Sequence, residues 1–256
     1  MPAAIAIPRV ATSSAGPMRA LVFIGAALAC LSLLAIASPA GAEPVQESEL
    51  PTADELVERY IDAVGGRDAI ERLRTRVAEL RLVTDLEWDR HIYEVDTLSV
   101  YGRSSGEYLV VTKTPDGVII EGFDGDEDWK IDPDGLVRSD NPRVLRDTWM
   151  TDPQFPLKLK SMYPTMRSTG IEKWNEDTVY VVDVGDGESH RLGFDPETGL
   201  LIRLGYHIWL QDYREVDGVL MPHRVIHGRK GGSSTFEFGS VAHNEKLDRT
   251  IFSLAK

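Results

Sequence analysis

The side chains best suited to metal or acid–base chemistry are the six histidines. Two of them, His223 and His227, lie four residues apart in a β-rich run, Val219 to His227. Strand side chains repeat every second residue, so both rings project from one face, but four residues of strand span about 13 Å. A zinc ion binds imidazole nitrogen at about 2 Å, so this pair cannot share one ion. His190, His207 and His243 sit on other segments, and nothing in their spacing requires convergence. The phrase Gly122-Phe123-Asp124-Gly125-Asp126-Glu127-Asp128 resembles a calcium loop. It lacks the EF-hand spacing and closing glutamate, and Trp129-Lys130-Ile131 resumes a strand, so an acidic hairpin turn is expected. There is no G-x-S-x-G elbow, H-E-x-x-H, phosphate loop or dinucleotide glycine pattern. No pair of carboxylates is marked out as an acid and its base. The single cysteine, Cys30, forms neither an intramolecular disulfide nor a thiolate cage. The expectation is a non-enzymatic protein with no catalytic residues, metal or cofactor; a hydrolase using His223 or His227 is the least favoured alternative.

The elements that carry these residues are mostly strands. From Val77 the period is two: Leu80, Leu82, Leu86 and Trp88 alternate with Glu79, Arg81, Asp85 and Glu87. Further runs of strand length span Ile92 to Tyr101, Tyr108 to Lys113, Val118 to Phe123, Trp129 to Asp132, Thr178 to Val184, Ser189 to Asp195, Leu200 to Trp209, Val219 to His227 and Ser234 to Val241. Tight-turn signals separate them, among them Pro115-Asp116-Gly117, Pro133-Asp134-Gly135, Pro196-Glu197-Thr198-Gly199 and Asp217-Gly218, and short turns make antiparallel neighbours. Thr52-Ala53-Asp54-Glu55 is a capping box that opens a helix carrying Leu56, Val57, Tyr60, Ile61 and Val64 at helical spacing, with Gly65-Gly66 to end it. About ten strands behind one amphipathic helix predict a single, highly curved sheet. One segment, Asn141 to Asn175, is too long for a hairpin and holds four prolines with Trp149, Phe155, Leu157, Leu159, Met162, Tyr163 and Met166. It reads either as a lid or as a crossover that plugs the core.

Composition bounds the rest. A chain of 256 residues, 42% hydrophobic and 27% charged, is long enough for one large domain and is not a disordered or collagen-like sequence. A formal charge of -13 argues against a phosphate-backbone partner, so no nucleic acid is expected. Residues 1–42 are basic and apolar: Arg9 and Arg19 precede an apolar run, Leu21 to Ile36, and Ser38-Pro39-Ala40-Gly41-Ala42 closes it before Glu43. That order predicts a signal peptide cleaved after Ala42, with 43–51 a linker and 52–256 one domain. A retained N-terminal membrane anchor facing the periplasm is the alternative, since a spanning helix needs about 17 to 25 residues. Cys30 as a lipidated cysteine is a third, weaker alternative.

The order of elements resembles the LolA/LolB-like superfamily of outer-membrane lipoprotein carriers and sorting factors. The likeness rests on the Ala53-Asp54-Glu55-Leu56-Val57 helix with Gly65-Gly66, the hairpin Phe123 to Trp129, Phe194-Asp195-Pro196-Glu197-Thr198-Gly199-Leu200-Leu201, and Asp212-Tyr213-Arg214-Glu215-Val216-Asp217-Gly218-Val219-Leu220-Met221-Pro222. These are hairpin phrases, and their specificity lies in their order. The resemblance implies a mainly β (α+β) fold. A strongly curved antiparallel sheet would form an incomplete barrel, covered on its concave side by the N-terminal helix and a central helical or loop segment. It also implies a periplasmic monomer that binds a lipid or acylated lipoprotein in an apolar cavity, with envelope membrane proteins as further partners. The cavity and lid residues would be Trp88, Trp129, Trp149, Phe155, Leu157, Leu159, Met162, Tyr163, Tyr180, Val182, Leu204, Tyr206 and Trp209. The lid-locking arginine of the carrier proper would fall at Arg81 or Arg103. A non-catalytic envelope scaffold with a filled core remains the alternative from a different class.

Overall fold

The first and last strands pair with each other, and that pairing sets the whole arrangement. The computed structural model describes residues 50–86, 91–135, 137–138, 148–174, 176–185, 190–229 and 231–254. The helices are α1 (Ala53–Ala63), α2 (Arg67–Glu71), α3 (Thr148–Thr151) and α4 (Phe155–Met162). The strands are β1 (Thr75–Leu86), β2 (His91–Arg103), β3 (Tyr108–Thr114), β4 (Gly117–Phe123), β5 (Asp128–Ile131), β6 (Val137–Arg138), β7 (Arg167–Trp174), β8 (Asp177–Asp183), β9 (Arg191–Phe194), β10 (Leu201–Leu204), β11 (Ile208–Val216), β12 (Val219–Arg229) and β13 (Gly232–His243). They form one 13-stranded antiparallel sheet in the order β6-β5-β4-β3-β2-β1-β13-β12-β11-β10-β9-β8-β7. It is an incomplete barrel, as the sequence predicts, because β6 and β7 are its two edges. Register shifts in β1, β7 and β10 mark bulges, which bend strands and curve a sheet.

The helices cover the inner face. Thr52 caps α1 through the expected box: its hydroxyl accepts from Glu55 N and the Glu55 carboxylate accepts from Thr52 N. Leu56, Val57, Tyr60, Ile61 and Val64 are all buried against the sheet. Gly65, at φ +123°, ends the helix where a Cβ would fall 2.5 Å from the Gly218 carbonyl oxygen, and Leu220 N donates to Val64 O. A helix terminus thereby replaces a ladder partner for β12. α3 and α4 lie in the long link between β6 and β7, packed on β2, α1 and α2.

Three local expectations change. Arg167–Trp174 is an edge strand, although the sequence reads as an irregular segment there, because only Trp174 is buried and a polar edge shows no apolar alternation. The run Leu200 to Trp209 is two strands, broken at Gly205 (φ +61°). Its bulge between Leu201 and Arg203 also interrupts the period-two alternation of a single strand: Leu200 and Leu204 pack on the inner core, Ile202 and Tyr206 on an outer cluster with Trp174, Val179 and Val181. The Asp124 turn is an acidic hairpin, with the Asp124 carboxylate accepting from Asp126 N and Glu127 N.

Gly102 in β2 marks where the cover crosses the sheet. A Cβ there would lie 1.8 Å from the Thr151 carbonyl oxygen. Gly102→Ala should therefore lift α3, costing about 1–3 kcal/mol. A lower Tm with faster hydrogen exchange across 148–162 is the expected reading; an unchanged exchange pattern would refute the close approach.

Candidate functional site

Beneath the helices lies one apolar layer. Leu80, Leu98, Val100, Tyr108 and Val110 from β1–β3 join Val182, Leu192, Phe194, Leu201, Leu210, Val225 and Phe238 from the other half of the sheet. The layer is closed by α1 and by Trp149, Met150, Phe155 and Leu159 of α3 and α4. The Trp149 ring meets Phe236 and Phe238 edge-on, with centroids 6.1 and 6.4 Å away. The described side chains pack closely here. A partly enclosed cleft between Tyr60, Trp149, Phe155 and β11–β12 holds about 20 Å³.

Of the residues expected to line a cavity or lid, Trp149, Phe155, Leu159 and Val182 are buried in this layer, and Leu157, Tyr163, Tyr180 and Leu204 pack partly against it. Met162 is exposed. Three others lie across the sheet. Tyr206 belongs to the outer cluster, Trp209 lies under the Arg203 guanidinium at 4.5 Å, and Trp129 packs beside Gly122 with its Nε1 donating to Phe252 O. Trp88 lies outside the described residues.

The residue that sequence reasoning missed is Arg76. Its Nη1 donates to the carbonyls of Trp149 (2.9 Å) and Met150 (3.1 Å), and its Nε donates to His243 Nε2 (3.2 Å). The positions considered for a lid-locking arginine differ: Arg81 pairs with Glu237, and Arg103 lies 3.9 Å from Glu107. The signal was present, since Arg76 falls in phase with Ala78 and Leu80 on the apolar side of β1. Burial pushes the Arg76 pKa down to about 10, with Asp152 and Tyr60 opposing, so the guanidinium remains charged at neutral pH. Asp152, buried and raised by that burial, forms an ion pair with Lys158.

Polar ties fasten the rest of the cover at its margins. Gln154 Nε2 donates to the carbonyls of Glu71 and Leu73, Lys158 Nζ donates to Ser104 O, and Lys160 bridges Asp54 and Glu58 on α1. The arrangement is an apolar plate held down by one buried cation and a polar rim. Among the described residues no group of histidine, cysteine and carboxylate side chains could hold a metal ion. His227 is exposed, while His223 is buried with its ring Nδ1 donating to Met221 O.

This architecture is found in solved structures. A protein described as a LolA superfamily protein, NE2245 from Nitrosomonas europaea, superposes with a TM-score of 0.56 at 14% identity, covering 80% of this chain and 98% of that one. The two proteins share a fold. A DUF1329 family protein from Desulfovibrio piger matches this chain at TM-score 0.55 and 12% identity, over 78% of this chain and 96% of its own. A putative outer membrane lipoprotein-sorting protein domain from Vibrio parahaemolyticus matches at 0.50 and 13%, over 77% and 95%. No protein-family model and no curated relative matches the sequence.

Two tests follow from the Arg76 tie. Arg76→Met keeps much of the volume but strands two carbonyls, so it should cost about 2 kcal/mol and accelerate exchange in 148–162 before the sheet. Uniform acceleration throughout would show that Arg76 is not specific to the cover. The second test is acid. His243, beside Arg76 and 3.3 Å from Asp217, has its pKa lowered from 6.5 to about 4 by burial and by the Arg76 charge, with Asp217 opposing. The unfolded chain then holds the proton more tightly, so this contribution, on the order of 2–3 kcal/mol, is complete above about pH 6.5 and lost as pH falls to about 4. Chemical denaturation across that window should show the loss in the wild type and little of it in His243→Gln.

Proposed function

We propose that this protein is an exported, non-catalytic binder of acyl chains that holds the tail of a lipid or acylated lipoprotein between the inner face of its sheet and a displaceable cover. Residues 1–42 would be the export signal, the periplasm the site of action, and residues 52–256 the binding domain. The observation that carries this reading is the construction of the cover. It buries Trp149, Met150, Phe155 and Leu159 on a continuous apolar face, yet is fastened by hydrogen bonds and ion pairs that open without breaking the sheet. An acyl chain gains about 0.8 kcal/mol for each methylene removed from water, which supplies the drive to displace it. Trp149 Nε1, buried without an acceptor among the described residues, is a donor suited to the ester or amide carbonyl at the head of such a chain. The similar protein from Vibrio parahaemolyticus carries lipoprotein sorting in its description, which accords with this reading. Among the described residues no helix is long and apolar enough to cross a membrane.

The filled inner face favours a second reading, a closed scaffold that carries no ligand. Organic extraction of freshly purified protein, followed by mass spectrometry, separates the two. The carrier reading expects stoichiometric acyl lipid, reduced at least several-fold in Trp149→Asp and Leu157→Asp while the far-ultraviolet β spectrum is retained. Lipid-free wild-type protein that also fails to take up a fluorescent fatty acid would leave only the scaffold.

A further inference from the structure

The β12–β13 ladder is incomplete. β12 and β13 pair from Arg224↔Glu237 to Arg229↔Gly232 and no further, although β12 begins at Val219 and β13 runs on to His243. Beyond Arg224 the strands find other partners: Leu220 N donates to Val64 O, while His243 N donates to the Asp217 carboxylate. The register of β1 against β13 also shifts here, leaving Gly239 unpaired in the β1–β13 ladder. The result is a seam in the sheet that opens as a pocket of about 440 Å³.

Cations dominate its mouth. Arg224, Glu237 and Arg81 stand side by side across β12, β13 and β1 by strand register, and Arg214 joins them from β11. Arg81 pairs with Glu237 and Arg214 with Asp212, which leaves Arg224 as the guanidinium with no ion pair among the described residues. Deeper in the pocket sit His223, 8% exposed, and the edge of the Phe238 ring, 6.1 Å from the imidazole. Because the Met221 carbonyl accepts from His223 Nδ1, the other ring nitrogen, Nε2, has no partner among the described residues. Asp212, which lines the same pocket, holds a left-handed backbone (φ +54°) that a non-glycine residue adopts at a cost. In a chain of net charge -13, a local excess of guanidinium around a nearly buried imidazole selects for an anion.

We propose that this seam is a binding site for a phosphate group, with Arg224 as its principal donor, Arg214 beside it in its pair with Asp212, and His223 Nε2 at its base. Guanidiniums present paired N–H groups that match tetrahedral oxyanions, and the imidazole completes the cradle from within. Its cations stand at the mouth of the seam, while Phe238 at its floor also belongs to the inner layer under Trp149. Inorganic phosphate and the phosphate of a lipid headgroup share this chemistry, and the test distinguishes them.

The His223 ring resonances of the full chain would be followed by nuclear magnetic resonance as sodium phosphate is added against sodium chloride at matched ionic strength. Binding would then be measured to phosphatidylcholine vesicles with and without phosphatidic acid. A saturable shift with phosphate, weakened about tenfold in Arg224→Gln and in Arg214→Gln but unchanged in Arg67→Gln, assigns the site to free phosphate. No shift with phosphate, together with phosphatidic-acid-dependent vesicle binding that Arg224→Gln abolishes, assigns it to a headgroup. Absence of both responses, or responses of equal size in all variants, overturns the proposal. The seam variants are at exposed positions, and an unchanged melting temperature confirms that any loss is local.

Discussion

The pairing of β1 with β13 along most of their length is the constraint from which the other features follow. Joining the first strand to the last at the centre of a meander leaves two consecutive strands, β6 and β7, at opposite edges. Their link has to travel from one edge to the other, and the short hairpin connections elsewhere leave no other segment to do it. In a curved sheet the route available to an apolar link is over the inner face, where burial of its side chains offsets the entropy of ordering it. The cover is thus a consequence of chain topology, and its apolar residues are placed to meet a surface that the meander has already built.

What orients that cover is less its apolar contact than its few polar ones. Hydrophobic burial is indifferent to small rotations, whereas the carbonyls of Trp149 and Met150 accept from one guanidinium in one geometry. Burying Arg76 costs desolvation, and its two carbonyl acceptors, His243 and the nearby Asp152 charge offset that cost. The margin ties from Gln154, Lys158 and Lys160 are partly exposed and individually weak. The cover therefore combines strong non-directional adhesion with one directional tie at the sheet centre. Loss of that tie frees its orientation without removing the reason for it to stay nearby.

Much of this was legible from the sequence, because the signals concerned were local. The α1 cap, most of the strand runs and the turns at Gly117, Gly135, Gly199 and Asp217-Gly218 follow from backbone preferences and period-two burial and appear where expected. Edge strand β7 was not legible, since Arg167–Trp174 is half solvated and its pattern reports exposure more than pairing. The division of Leu200 to Trp209 was not legible either, because the bulge at Leu201–Arg203 changes which face a side chain occupies without changing residue type. Trp129, Tyr206 and Trp209 look alike in sequence to the inner-face aromatics, yet they serve the other side of the sheet. A large aromatic records burial and does not record direction. Arg76 differs, because a charge in the apolar phase of β1 was visible in the sequence, but its partners come from a segment about seventy residues away in the chain.

A filled inner face and a carrier function are compatible if the two packings are close in free energy. On the proposed carrier reading an acyl chain would compete with the cover's side chains, so binding would exchange one set of apolar contacts for another and gain only their difference. That exchange is useful to a shuttle, because cargo held against a competing internal ligand can be surrendered, whereas an open dry cavity of the same area would retain it more tightly. The cover also keeps a large apolar surface from water. The position of Arg76 gives the exchange a threshold. Displacing α3 leaves a buried cation without its carbonyl partners until solvent or a ligand carbonyl reaches it, so partial opening is costlier than either end state. The proposed exchange would therefore run between two discrete packings, and the tie between them sits on the strand that the chain's topology makes central.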